Sequence, residues 1–199
     1  MKKHSLKHIL KRIIQFPFAI IRCIFVLLFS FIFYDKKYFR TKYFVNVYSE
    51  GWSWASRDIW ARLRWGKNRY VRWPVSPDID CGSRVFFEPE DLNNFQGSGN
   101  YFQCFAEDIV IGKGTFIAKN VGIITANHDL NDPNKHTQGR KVIIGEKSWI
   151  GMNSMIMPGV TLGSHTVVGA GAIVTHSFPE GYVVLGGNPA RIIKRIKEQ

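Results

Sequence analysis

From residue 144 to residue 179 the chain reads IGEKSW, IGMNSM, IMPGVT, LGSHTV, VGAGAI, VTHSFP, a strict period of six. Ile144, Ile150, Ile156, Leu162, Val168 and Val174 open the blocks, and glycine follows four of them. Four residues after the first five openers stand Ser148, Ser154, Val160, Thr166 and Ala172, all small or β-branched. An earlier block from Ile111 (IGKGTF, IAKNVG, II) places Ile117 and Ile123 at the aliphatic position and Thr115 and Val121 at the small one. An amphipathic helix would space its apolar residues by three and four, and a long strand by two. A period of six fits neither. It predicts an all-β solenoid of very short strands, with one aliphatic side chain per repeat pointing inward and a glycine at the tight corner.

The phase breaks once. Ile123 and Ile144 lie 21 residues apart, three repeats plus three residues, so the intervening chain must protrude. That segment, TANHDLNDPNKHTQGRK from Thr125 to Lys141, is rich in Asn, Asp, Gly and Pro, which is loop chemistry. A polar excursion from a rigid scaffold is a natural place for a site. His128 stands at its start, and a neutral imidazole can take a proton from a hydroxyl at physiological pH. Asp129 either orients that imidazole or caps the turn. His136 reads as an exposed loop residue, too far from His128 along the loop to share a metal with it. Before Ile111 the period is poor: Ile79 and Val85 keep it, while Glu90 to Phe105 is irregular and predicts distorted early coils.

The repeat, its interruption and the closing GGNPARIIKRI (residues 186–196) together resemble the hexapeptide-repeat acyltransferases, in the branch of maltose, galactoside and capsular or exopolysaccharide O-acetyltransferases. The resemblance covers roughly residues 75–199. It implies a left-handed parallel β-helix with three hexapeptides per turn, a homotrimer with its site between neighbours, and acetyl-CoA as co-substrate with no metal. It also implies that His128 is the base that deprotonates a saccharide hydroxyl, with Asn127 and Asp129 as candidates for positioning the acceptor. The same resemblance puts Met152 and Ala170 on the pantetheine arm, Thr175 and His176 near the pyrophosphate end, and Arg191 and Lys194 near the 3′-phosphate. Relatives often carry lysine where His176 stands. Arg191 to Lys197 is expected to form a short C-terminal helix capping the solenoid. Two other readings of such a solenoid are a non-catalytic scaffold and a zinc enzyme of the γ-carbonic-anhydrase kind. The latter lacks suitably spaced histidines. No P-loop, Rossmann fingerprint or GxSxG elbow is present.

Charge is concentrated at the other end. Residues 1–48 carry +9, residues 49–74 carry +4 and residues 75–199 carry −1 of the net +12. Nucleic acid is therefore not the expected partner, because the folded repeat region is near neutral. The basic head MKKHSLKHILKR precedes an apolar stretch, Ile13 to Tyr34, broken by Gln15, Pro17, Arg22 and Ser30. This stretch predicts an apolar and basic helical extension that lies on a membrane, spans it or packs on the domain. Since acetyl-CoA is cytosolic, the expected location is the cytoplasm, at the inner face of the membrane. Residues 49–74, with Trp52, Trp54, Trp60, Trp65 and Trp73 among arginines, read as a connector before the acyltransferase domain at 75–199. Three cysteines with no CxxC pair argue against a disulfide framework.

Overall fold

The structure, a computed structural model, describes residues 2–197, with side chains from Ile14 onward. The side chains of the basic head, Lys2 to Arg12, lie outside the described residues. The described residues begin with helix α1 (Lys2–Phe33), and two short 3₁₀ turns (Lys36–Arg40, Lys42–Phe44) lead into helix α2 (Glu50–Trp65). Residues 49–74 are thus more than a connector. Alanine, arginine and leucine favour α2, and Gly66, at φ 71°, ends it in the left-handed conformation. Ala19, Cys23 and Val26 form the buried stripe of α1 at spacings of four and three, and this stripe faces α2.

Fourteen short strands follow among the described residues. They are β1 (Asp80–Cys81), β2 (Val85–Phe86), β3 (Tyr101–Gln103), β4 (Ile109–Ile111), β5 (Phe116–Ile117), β6 (Gly122–Ile124), β7 (Val142–Ile144), β8 (Trp149–Ile150), β9 (Met155–Ile156), β10 (Thr161–Leu162), β11 (Val167–Val168), β12 (Ile173–Val174), β13 (Val183–Gly187) and β14 (Ala190–Arg195). They fall into three sheets, ordered β1-β3-β6-β9-β12, β10-β7-β4-β2 and β14-β13-β11-β8-β5. From β3 to β12 the chain visits the three sheets in strict rotation, so each circuit adds one parallel strand to each. Below the loop, partners stand 18 residues apart (Val167 on Trp149, Ile173 on Met155), which is three hexapeptides. Across the loop they stand 33 apart (Ile109 on Val142, Phe116 on Trp149), so the excursion inserts fifteen residues into one circuit. In the irregular early coils the spacing is 21 or 24.

The aliphatic openers behave as their spacing requires. Ile111, Ile123, Ile144, Ile150, Ile156, Leu162, Val168 and Val174 are buried, and Ile117 is half-buried. The small positions are buried too, and their hydroxyls are bonded. Thr166 Oγ1 donates to the Gly163 carbonyl at 2.7 Å and Ser154 Oγ to the Gly151 carbonyl at 2.7 Å. Burying an unbonded hydroxyl would be costly, which is why small residues with a local carbonyl partner suit this place. At the corner, a Cβ on Gly163 would stand 2.4 Å from the Pro179 carbonyl oxygen and the Gly181 nitrogen of the next coil.

The expected C-terminal helix does not form. Residues 183–195 are an antiparallel hairpin of β13 and β14, with Val184 opposite Lys194 and Gly186 opposite Arg191. β13 extends a sheet by pairing with β11, which would leave its outer edge unpaired. Folding back as a strand satisfies that edge, whereas a helix would not. The two halves of the molecule share one core through Trp73, whose ring meets Tyr38, Phe87 and Phe95 at 5.2–6.0 Å.

Candidate active site in the loop and along the corners

The excursion leaves the first sheet directly after β6. Gln103 on β3 clamps its base: Gln103 Oε1 accepts from the backbone N–H groups of Thr125 (2.9 Å) and Ala126 (3.1 Å). Thr125 Oγ1 donates to the Gln103 carbonyl at 3.0 Å. The two arms then pair with each other. The Thr137 N–H donates to the Asn127 carbonyl at 2.8 Å and the Asp129 N–H to the Lys135 carbonyl at 2.9 Å. His128 and His136 form the bridge between these bonds.

This pairing corrects the separation expected for the two histidines. Their ring centroids are 4.5 Å apart, and Phe105, at the end of the β3 segment, meets the His136 ring edge-on at 4.8 Å. His136 and Phe105 therefore join the candidate site beside His128, which their sequence neighbourhoods did not reveal. The only advance signal for His136 was Pro133-Asn134 between the histidines, a turn pair able to fold the loop back on itself. Among the described residues no third side chain joins the two histidines to make a metal-holding group.

His128 Nδ1 lies 2.6 Å from the Pro133 carbonyl oxygen. A carbonyl can only accept, so Nδ1 carries a hydrogen, and in the neutral ring the lone pair is on Nε2. His128 is exposed, so that lone pair is open to a reactant. Asp129 does not orient the imidazole. Its Oδ1 accepts from the N–H groups of Asn131 (2.8 Å) and Asp132 (3.1 Å), the turn-capping alternative. Hydrogen bonds from Lys135 and Asn134 hold the Asp132 carboxyl below its ordinary range, which keeps this turn anionic and closed. Asn127 uses its backbone to hold the loop, and its side chain is exposed beside His128.

The remaining candidates lie along two corners of the coils. Met152 and Ala170 follow β8 and β11 in the third sheet, one circuit apart, and the Gly171 N–H donates to the Met152 carbonyl at 2.8 Å. A Cβ on Gly171 would meet nothing within 4 Å, so the surface is open at that position, whereas a Cβ on Gly151 or Gly169 would meet backbone of the adjoining coil. Thr175 and His176 follow β12, in the same sheet as β6, with Thr175 Oγ1 and His176 Nδ1 2.8 Å apart. Arg191 and Lys194 are exposed on β14, on a strand and not a helix. Among the described residues no hydrogen bond joins His128 to any of these. Within one chain His128 and the corner at Gly171 belong to different columns.

A cleft of about 380 Å³ adjoins the loop, lined by residues that include Asn68, Tyr70, Ser83, Arg84 and Phe105. Arg84 is held by Glu107 and Asp108 at 3.4 and 2.8 Å. Phe105 both lines this cleft and meets the His136 ring, so it links the cleft to the histidine pair.

The family description "Bacterial transferase hexapeptide (six repeats)" matches residues 141–176. A Dictyostelium discoideum protein provisionally named an acetyltransferase is 46% identical over 129 residues, covering 58% of this chain and 67% of its own length. A Saccharomyces cerevisiae protein with the same provisional name is 38% identical over 131 residues, covering 63% and 64% of the two chains. The galactoside O-acetyltransferase of Escherichia coli is 32% identical over 137 residues, covering 67% and 64%. The chain thus spans just under two thirds of the length of the last two relatives.

Proposed function

The chain belongs to the hexapeptide-repeat transferase family, and from that premise we propose that it moves an acetyl group from acetyl-CoA to a hydroxyl of a saccharide. The observation that carries this reading is the 2.6 Å contact of His128 Nδ1 with the Pro133 carbonyl, which leaves Nε2 as a base. His128 takes the proton of the acceptor hydroxyl as its oxygen attacks the thioester carbonyl. The carbon–sulfur bond breaks, the acetyl group stays on the acceptor oxygen, and the imidazolium gives its proton to the departing thiolate. No nucleophilic side chain is needed.

The open corner at Met152, Ala170 and Gly171 suits a narrow pantetheine arm, and exposed Arg191 and Lys194 suit a phosphate. Because the base and that corner lie in different columns of one chain, the reading includes a left-handed coil in a homotrimer. In that assembly His128 of one subunit faces the corner of the next. The cleft beside Phe105 suits the acceptor, with the exposed rings of Tyr70 and Phe105 for sugar faces and Ser83 for a hydroxyl. The reading extends to an acceptor used in capsule, exopolysaccharide or lipopolysaccharide synthesis.

Replacing His128 with Ala is expected to lower turnover of acetyl-CoA with a genuine acceptor about 10²–10⁴-fold. The melting temperature should barely change, because His128 is exposed. Retention of most activity would remove His128 from the role of base.

A further inference from the structure

The opposite face of α1 is exposed among the described residues. Ile14, Phe18, Ile21, Leu28 and Ile32, at spacings of three, four and seven, form an exposed stripe, with Ile24 and Phe31 beside it. Phe18 and Phe31 are 70% and 73% exposed. Ile14–Phe33 is long and apolar enough to cross a membrane. A patch of this size on a soluble surface marks an interaction site.

Two observations choose between crossing the membrane and lying along it. Arg22, in the middle of the apolar segment, donates from Nη1 to Ser53 Oγ on α2 at 2.7 Å, and from Nη2 to the Val47 carbonyl at 3.4 Å. The stripe of Ala19, Cys23 and Val26 lies against α2 as well. α2 therefore accompanies α1 through the same depth, and it carries Glu50, Arg57 and Arg64. If α1 crossed the hydrocarbon, these charges and the 3₁₀ turns would have to enter with it, at high cost. If α1 lies in the plane of the membrane, α2 stays on the aqueous side and supplies the polar face that α1 lacks.

Trp60 and Trp65 fit that depth. Trp60 stacks on Phe25 of α1 at 5.7 Å with its ring largely exposed, and Trp65 is 69% exposed. Tryptophan favours the boundary between headgroups and acyl chains. The +9 charge of residues 1–48 complements anionic lipid.

We propose that α1 and α2 form a monotopic hairpin, with the Ile14–Ile32 face of α1 embedded in one leaflet of an anionic phospholipid bilayer. The solenoid then sits on the same side as both ends of α1. This placement holds whatever group the solenoid transfers.

The test uses the full chain with an N-terminal epitope tag and vesicles of phosphatidylcholine and phosphatidylglycerol at 7:3, or phosphatidylcholine alone. The wild type should float with the anionic vesicles. Ile21→Glu combined with Leu28→Glu, both at exposed positions, should float at least about tenfold less while melting as the wild type does. Protease added outside vesicles that carry the solenoid outside should remove the tag. A tag protected until detergent is added would mean that α1 crosses, and would overturn the proposal. So would equal flotation of the double variant. A wild type that stays out of the floating fraction, in an oligomer that the double variant dissociates, would assign the face to neighbouring copies and overturn it too.

Discussion

Between residues 109 and 185 one interior position is filled repeatedly by an aliphatic side chain, whereas between residues 14 and 95 the interior mixes aliphatic residues with aromatic rings and a buried charge pair, with no repeated position. Ile144, Ile150, Ile156 and Leu162 occupy equivalent places, and each is covered by the coil above and the coil below. In the helical half the centre is a buried ion pair. Asp58 Oδ2 accepts from Arg62 Nε at 2.9 Å, from the Tyr34 hydroxyl at 2.9 Å and from the Val75 N–H at 3.1 Å. Arg62 also donates to the carbonyls of Val71 at 2.6 Å and Trp73 at 2.9 Å. One side-chain pair thus joins the end of α1, the middle of α2 and the strand of chain that enters the coils. Repetition spreads stability over many similar contacts, and the single-copy network concentrates it.

The largest expected effect comes from breaking that network. Asp58→Ala leaves a buried guanidinium without its counter-charge and should cost about 3–5 kcal/mol in denaturant unfolding. Burial pushes the Asp58 carboxyl up, and Arg62 with the hydrogen bonds holds it back, so the pair is stable only as a pair. A loss below about 1 kcal/mol would show that the helical half does not depend on it.

The coils should break by crowding more readily than by loss of any one contact. In Gly163→Ala the new Cβ meets backbone of the next coil, which cannot swing aside as a side chain can. About 1–3 kcal/mol should be lost, read as a lower melting temperature. An unchanged melting temperature would mean that the corners have slack.

The same contrast decides what could be read in advance. The coils were legible because each position is tested six times over, so the interior, the corners and the fifteen-residue excursion all follow from spacing. α1 was legible as a helix from its long apolar stretch, even with the breaks at Gln15, Pro17, Arg22 and Ser30. The C-terminal hairpin was not, since ARIIKR is equally apolar on one side as helix or strand. What decides it is the edge of β13, a partner that only the fold supplies. The five tryptophans of 49–74 gave one undivided signal for three jobs: Trp52 and Trp54 pack on Phe44 and Tyr43, Trp73 joins the two halves, and Trp60 and Trp65 face outward. His128 stood out because the phase breaks beside it. His136 did not, because its approach depends on arm-to-arm pairing that polar loop residues do not announce.

The smallest expected effect sharpens the comparison by pH. The Tyr34 hydroxyl is buried against Asp58, and burial first, then the Asp58 charge, raises its pKa well above 10.0. The protonated form is therefore favoured in the folded chain. Its contribution is fully present below the unfolded value and is lost as pH rises through it, because the unfolded chain then ionises and the folded one does not. At pH 10 the loss from Tyr34 is about 0.4 kcal/mol, and it grows with each further rise in pH. The coils have no comparable group between β5 and β13, since their interior there is aliphatic or hydroxyl. Tyr34→Phe should start less stable, because Asp58 loses a donor, yet its stability should fall less between pH 9 and 10.5 than that of the wild type. Parallel curves for the two proteins would place the alkaline sensitivity outside this network.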